Sequence, residues 1–171
     1  MLFRLDIENV AVIEKVGIKL NTGFNVLSGE TGAGKSILID SIDLVLGERA
    51  SKELIRSGEK KAYVGANFID VSDKVTDICQ EYGIEVEDNK SLLIEREIYS
   101  DGRNMQKINN RPVTLSVLKN IGKYLVNMHG QHSNQLLLDE KTHIEYLDKF
   151  ANNENERAEY IECYNNVYSL Q

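Results

Sequence analysis

No apolar run in this sequence approaches the roughly 20 residues that a membrane-spanning helix requires. The opening residues, Met1-Leu2-Phe3-Arg4-Leu5-Asp6-Ile7-Glu8, alternate as a strand does and lack the uninterrupted apolar segment of a signal peptide. A cytoplasmic protein without membrane contact is expected. Cysteine is scarce: Cys79 and Cys163 stand 84 positions apart without ligand-like spacing, which argues against a disulfide framework or a thiol-based zinc site. Both are expected to be reduced thiols. A basic surplus is also missing, since a net charge of −7 argues against a surface that coats nucleic acid throughout. Residues 139–171 carry −5 of it, so any DNA contact made by the first 138 residues is expected to be a local patch.

What is present is a chain of 171 residues, 42% hydrophobic, long enough for one globular domain with a core and an appendage. Its most informative stretch is Gly29-Glu30-Thr31-Gly32-Ala33-Gly34-Lys35-Ser36, which fits the phosphate-loop pattern G-x-x-x-x-G-K-[ST] at every constrained position. Closely spaced glycines let consecutive backbone N–H groups turn toward a polyphosphate without a Cβ in the way. Lys35 is placed to reach the β- and γ-phosphates, and the Ser36 hydroxyl to bind Mg²⁺. Phe24-Asn25-Val26-Leu27 reads as a short strand before the loop, and apolar residues at helical spacing run from Ile37 to Leu46 after it. Strand, loop, helix is the required order, and the helix N-terminus adds partial positive charge. An α/β nucleotide-binding module follows.

Alternation predicts strands over 2–8 and 16–20, then further strands over 62–70, 91–99 and 105–109, with a hairpin turn at Ser100-Asp101-Gly102-Arg103-Asn104. Helices are expected near 37–46 with a stop at Gly47, from an N-cap at Ser72 to Tyr82 with a stop at Gly83, and over 115–122 capped by Thr114. Pro112, the sole proline, should break the chain after Asn110-Arg111, and Tyr124-Leu125-Val126-Asn127-Met128 is another strand candidate. Lys52, Arg56, Lys60 and Lys61 gather around Ser57-Gly58; a solvated loop is favoured over a phosphate or DNA contact. His129-Gly130-Gln131-His132-Ser133-Asn134-Gln135 follows the last strand candidate, where α/β folds place ligand groups. Zinc at His129 and His132 lacks a third donor, and His143 is expected in solvent on a charged helix.

From Asp139 the chain reads as helix, with Ile144, Leu147, Ala151, Ala158, Ile161 and Tyr168 on three- and four-residue steps, although Asn152-Asn153-Glu154-Asn155-Glu156 could separate two helices. The expected division is residues 1–138 and 139–171. Leu136-Leu137-Leu138-Asp139-Glu140 resembles the apolar strand and acids that hold Mg²⁺ and water in phosphate-loop hydrolases, but the acids equally suit a helix N-terminus.

An ordered set of motifs closely resembles the N-terminal part of the RecN family of bacterial DNA repair proteins, among the SMC-like, ABC-type ATPases. It comprises Leu5-x-Ile7-x-Asn9, Leu27 to Leu38, Leu54-Ile55-Arg56-x-Gly58, Asp101-Gly102-Arg103, Ile108-Asn109-Asn110-Arg111-Pro112-Val113 and His129-Gly130-Gln131-His132. The resemblance implies a head half-domain with a mixed β-sheet, ATP and Mg²⁺ as cofactors, and a C-terminal helix that opens a coiled coil. It also implies a head completed by the C-terminal half of the same protein, a second head as homodimer partner, DNA, and a role in double-strand-break repair, recombination and the SOS response at the nucleoid. Gln131 would be a catalytic and Mg²⁺-sensing glutamine beside Lys35, with Gln135 as substitute, and Arg56 would lie near nucleotide or DNA. The family's signature motif, catalytic acidic strand and returning coil are missing here, so ATP hydrolysis by this chain alone is not implied. A self-contained NTPase using Asp139 and Glu140, and a nucleotide-responsive interaction module without hydrolysis, are the alternatives.

Overall fold

The computed structural model describes residues 1–28, 34–127 and 140–168. The chain divides into two compact units, Met1–Asn127 and Met128–Gln171. In the first, six strands form one sheet: β1 (Leu2–Val10), β2 (Ile13–Lys19), β3 (Lys61–Phe68), β4 (Leu92–Tyr99), β5 (Asn104–Ile108) and β6 (Arg111–Pro112). Their order is β2-β1-β3-β4-β5-β6, and every described pairing is antiparallel. Alternation then decides which face is dry. Leu5 and Ile7, Ala62, Val64, Ala66 and Phe68, and Leu92, Ile94 and Ile98 all point to one side and are buried. On that side lie α1 (Lys35–Val45), α2 (Asp73–Glu81) and α3 (Leu115–Gly122), which contribute Leu44, Val45, Val75, Cys79, Leu118 and Ile121 to the same core. The opposite face is polar and its charges pair across strands, as in Lys61–Glu97 at 2.7 Å and Tyr63 donating to Glu95 at 3.0 Å.

The helix boundaries follow local chemistry. Gly47 ends α1 at φ +103°, with Gly47 N–H donating to the Leu44 carbonyl at 3.2 Å and Glu48 N–H to that of Asp43 at 3.0 Å. Gly83 does the same for α2 at φ +65°, through Gly83 to Gln80 and Ile84 to Cys79, each 2.8 Å. Both are Schellman stops, which need the left-handed conformation that glycine adopts without strain. At the start of α3 the Thr114 hydroxyl accepts from Val117 N–H at 3.4 Å. Asn109 and Asn110 turn β5 into β6 with φ of +46° and +64°. The Asn109 side chain also accepts from Leu93 N–H at 2.8 Å and donates to the Glu85 carbonyl at 2.7 Å, so this motif ties the α2–β4 connection to the sheet.

The expected strand at 24–27 is not formed, nor is the described part, 124–127, of the one expected at 124–128, whose Met128 lies outside the described residues, and one expected break is a strand. Residues 24–27 pair with no described strand, and Phe24 is 93% exposed. An apolar run without alternation suits a strand covered on both faces, and nothing in the described sheet supplies those neighbours. Residues 124–125 instead continue the last turn of α3, with Tyr124 N–H donating to the Ile121 carbonyl at 3.0 Å and the Tyr124 ring under Lys74 at 4.3 Å. Pro112 sits in β6 at the sheet edge, where no partner strand asks for its missing N–H.

The second unit contains α4 (Glu140–Ala151) and α5 (Glu154–Tyr168). Of the two expectations for this region, separate helices is the one realised. Asn152 turns the chain at φ +51°, Asn153 donates to the Asp148 carbonyl at 3.4 Å and carboxylate at 3.2 Å, and Arg157 meets that carboxylate at 3.5 Å. On α5, Tyr160, Tyr164 and Tyr168 stack at 6.3 and 5.8 Å, one per turn.

Cys79 is buried and Cys163 exposed, and both are free. Burial pushes the Cys79 thiol up to about 11 from 9.0. The unfolded chain therefore releases this proton as pH passes about 9, while the folded chain holds it until about 11, so folding stability falls as pH rises through that window. We expect one thiol per native chain to react with a disulfide reagent at pH 8 and two in denaturant. Fast reaction of both in the native state would show that the core around α2 is open.

Candidate nucleotide-binding site

The described part of the phosphate loop is its end, Gly34, Lys35 and Ser36, and these residues form the first turn of α1. Gly34 is the N-cap at φ −120° and ψ −45°, and its carbonyl accepts from Leu38 N–H at 3.1 Å. Among the described residues no side chain caps this end, and no acidic residue occupies its first turn. The leading N–H groups are thus left to whatever lies in front of them. A Cβ placed on Gly34 would meet no described atom within 4 Å. Lys35 is half-buried and Ser36 exposed. A uncapped helix N-terminus beside an ammonium and a hydroxyl suits a phosphate with its divalent cation. Gly29, Glu30, Thr31, Gly32 and Ala33 lie outside the described residues.

The other end of α1 is locked. Leu44 and Val45 pack on the sheet, and the buried Ser41 hydroxyl donates back to the Ile37 carbonyl at 2.6 Å. Behind them, Arg96 of β4 donates from Nη1 to the Leu44 carbonyl at 2.7 Å and to the Glu48 carbonyl. Burial pulls this guanidinium below its ordinary range, partly opposed by Glu48. Asp43 on the same helix is raised by its own burial, then by Glu48 and Asp40. Gly47 and Gly122 let α1 and α3 touch: a Cβ on Gly47 would lie 2.7 Å from Lys119 Cα, and one on Gly122 would lie 2.3 Å from the Leu46 carbonyl oxygen. Lys119 also pairs with Glu48 at 2.9 Å. Motif reading overlooks Arg96 because it is not in the loop. The signal was available, since Leu92, Ile94, Arg96 and Ile98 share one parity of an alternating strand.

The remaining candidates scatter. Arg56 donates to the Val12 carbonyl at 2.6 Å, where its backbone also bridges the β1–β2 end, so this cation is engaged in the fold. Around it, Glu53 and Glu59 dilute the basic loop. His143 is exposed on α4, and Glu140 opens that helix. His129, Gln131, His132, Gln135 and Asp139 lie outside the described residues, as does the apolar run 136–138.

Comparison with known proteins adds to this geometry. The AAA domain family matches residues 4–168. The chain belongs to that family. Within the AAA domain family, the likeness to RecN head segments read from the motifs is shown by close relatives. The DNA repair protein RecN of Bacillus subtilis is 43% identical over 92% of this chain and 27% of that protein. RecN of Halalkalibacterium halodurans is 39% identical over 100% of this chain and 31% of that protein. The chain thus spans under a third of the relatives it matches. Among solved structures, an SMC ATPase studied for ATP-driven dimerization and DNA-stimulated activation superposes with a TM-score of 0.59 at 24% identity, over 87% of this chain and 98% of that one. That likeness places the AAA domain chain in the SMC-type head fold and its α/β class. No described helix is long and apolar enough to cross a membrane.

Proposed function

We infer that this chain is the ATP-binding N-terminal half of the head of a RecN-like ATPase acting in DNA double-strand-break repair and recombination. The observation that carries the reading is the start of α1, where Gly34, Lys35 and Ser36 of a complete phosphate-loop sequence form a first turn that holds no acidic residue. Gly29 to Ser36 would cradle the β-phosphate with backbone N–H groups, Lys35 would balance charge on the β- and γ-phosphates, and Ser36 would hold Mg²⁺. Gln131 takes its place as Mg²⁺ and γ-phosphate sensor on the family resemblance alone. ATP supplies a transferable phosphoryl group, and Mg²⁺ neutralises the charge that develops on it. The part of this chain is to bind and orient; residues 1–138 act as the nucleotide-binding lobe, and 139–171 lead into the coil.

The reading also calls for partners. Phe24 and Val26 are 93% and 69% exposed in an apolar segment directly before the phosphate loop, which suits cover by strands from the C-terminal half of the same head. Relatives more than three times as long have the sequence to supply it. A second head would then face the bound ATP, as in the ATP-driven dimerization studied for the SMC ATPase, and couple it to DNA. The test is reconstitution. The purified chain should show little Mg²⁺-dependent ATP hydrolysis by itself, and turnover should rise when the C-terminal half of the relative from Bacillus subtilis, or its own, is added. Robust turnover by the chain alone, lost in Asp139→Asn or Glu140→Gln, would replace this reading with a self-contained hydrolase.

A further inference from the structure

Arg96 stands on β4 with the parity of Leu92, Ile94 and Ile98, so the strand's alternation carries its side chain into the apolar interior. Only 2% of it is exposed. A cation in such surroundings is costly unless fixed acceptors meet it; here Nη1 is met, while the buried Nε has no hydrogen-bond partner among the described atoms. The acceptors here are the carbonyls of Leu44 and Glu48, at the C-terminal end of α1 and just beyond it. Leu44 already receives Gly47 N–H, whereas the Glu48 carbonyl has no other described backbone donor. The Leu44 oxygen belongs to the negative end of the helix dipole, which a guanidinium complements. The two ends of α1 are therefore treated differently: a buried cation grips the rear, and among the described residues the front carries neither a side-chain cap nor an acid in its first turn.

A helix of 11 residues moves nearly as a rod, so fixing its rear fixes where its leading N–H groups aim. Resting on the nucleotide-binding reading above, we propose that Arg96 is a positioning residue for the nucleotide phosphates, holding α1 against β4 from behind so that Gly34, Lys35 and Ser36 meet the β-phosphate in one orientation. The neighbouring tie between Glu48 and Lys119 does not share this role. Both its side chains are about half exposed, and exposed ion pairs contribute little.

The experiment uses the whole chain and three variants, Arg96→Met, Arg96→Lys and Lys119→Ala. Mg²⁺-ATP affinity is measured by titration, and amide hydrogen exchange is followed by mass spectrometry without nucleotide. In Arg96→Met we expect affinity to weaken on the order of ten-fold, as when other groups that orient a binding residue from behind are removed. Exchange should quicken in α1 while β1, β3 and β4 stay protected. Arg96→Lys, which keeps a cation near the two carbonyls, should regain most of the affinity, and Lys119→Ala should change neither reading. Wild-type affinity in Arg96→Met overturns the proposal. So does a loosening of the whole sheet in which the affinity loss merely follows the unfolded fraction. Loss of affinity in Lys35→Ala but not in Arg96→Met removes this inference alone, whereas no loss in Lys35→Ala removes the nucleotide reading and this one with it.

Discussion

Replacing Lys35 by alanine lowers the affinity for Mg²⁺-ATP on the order of a hundredfold, within the range of about 2–5 kcal/mol for removing one member of a desolvated charge pair. The reason is positional. Lys35 is the first residue of α1, half-buried, next to an N-cap glycine. A triphosphate seated there keeps the backbone N–H groups when the ammonium is lost, so binding weakens and is not abolished. The same variant should show a shallower dependence of affinity on salt, because one charge contact has gone. Its thermal unfolding should move little, since Lys35 is not among the buried core residues. Titration with a labelled nucleotide checks all of this, and an unchanged affinity would rule the site out.

Gly122→Ala gives the largest effect on stability. Alanine is favoured over glycine inside a helix by about 1 kcal/mol, which by itself would stabilise α3. The new Cβ, however, would lie 2.3 Å from the carbonyl oxygen of Leu46 and 3.0 Å from its Cα. Both are backbone atoms of the end of α1, so no side chain can swing aside. Overpacking of this kind costs typically about 1–3 kcal/mol and more where the obstacle is rigid, so the net loss should be about 2 kcal/mol or more. That corresponds to a fall in melting temperature of roughly 4–8 °C for a chain of this size. The displaced α1 would also bind nucleotide less well. A melting temperature at or above wild type would mean that α3 does not press on α1 as described.

Much of the fold could be read from the sequence because its signals are local. Gly47 and Gly83 stop helices through bonds to residues three to five positions back, and Thr114 starts one through a bond three positions ahead. Alternation placed β1, β3, β4 and β5 because one wet face and one dry face leave their mark on each strand. The runs at 24–27 and 124–127 misled because an apolar segment names a need for cover without saying who provides it. Pro112 misled in the opposite sense, since a residue that breaks a central strand is harmless at an edge. For the site, the motif located Gly34, Lys35 and Ser36 at the helix start, where the spacing requires them. What holds that helix in place could not come from a motif. Arg96 acts 48 and 52 positions away along the chain, and only the parity of its strand hinted that it points inward.

The bend between α4 and α5 bears on how movement would pass along this part of the molecule. A continuous helix resists bending through every rung of its hydrogen-bond ladder, but at Asn152 the ladder is interrupted. Among the described residues, bonds across the gap meet at Asp148, through its carbonyl and its carboxylate. A push delivered to one helix would therefore be passed to the other in part through this acidic residue, and losing its side chain would slacken the elbow.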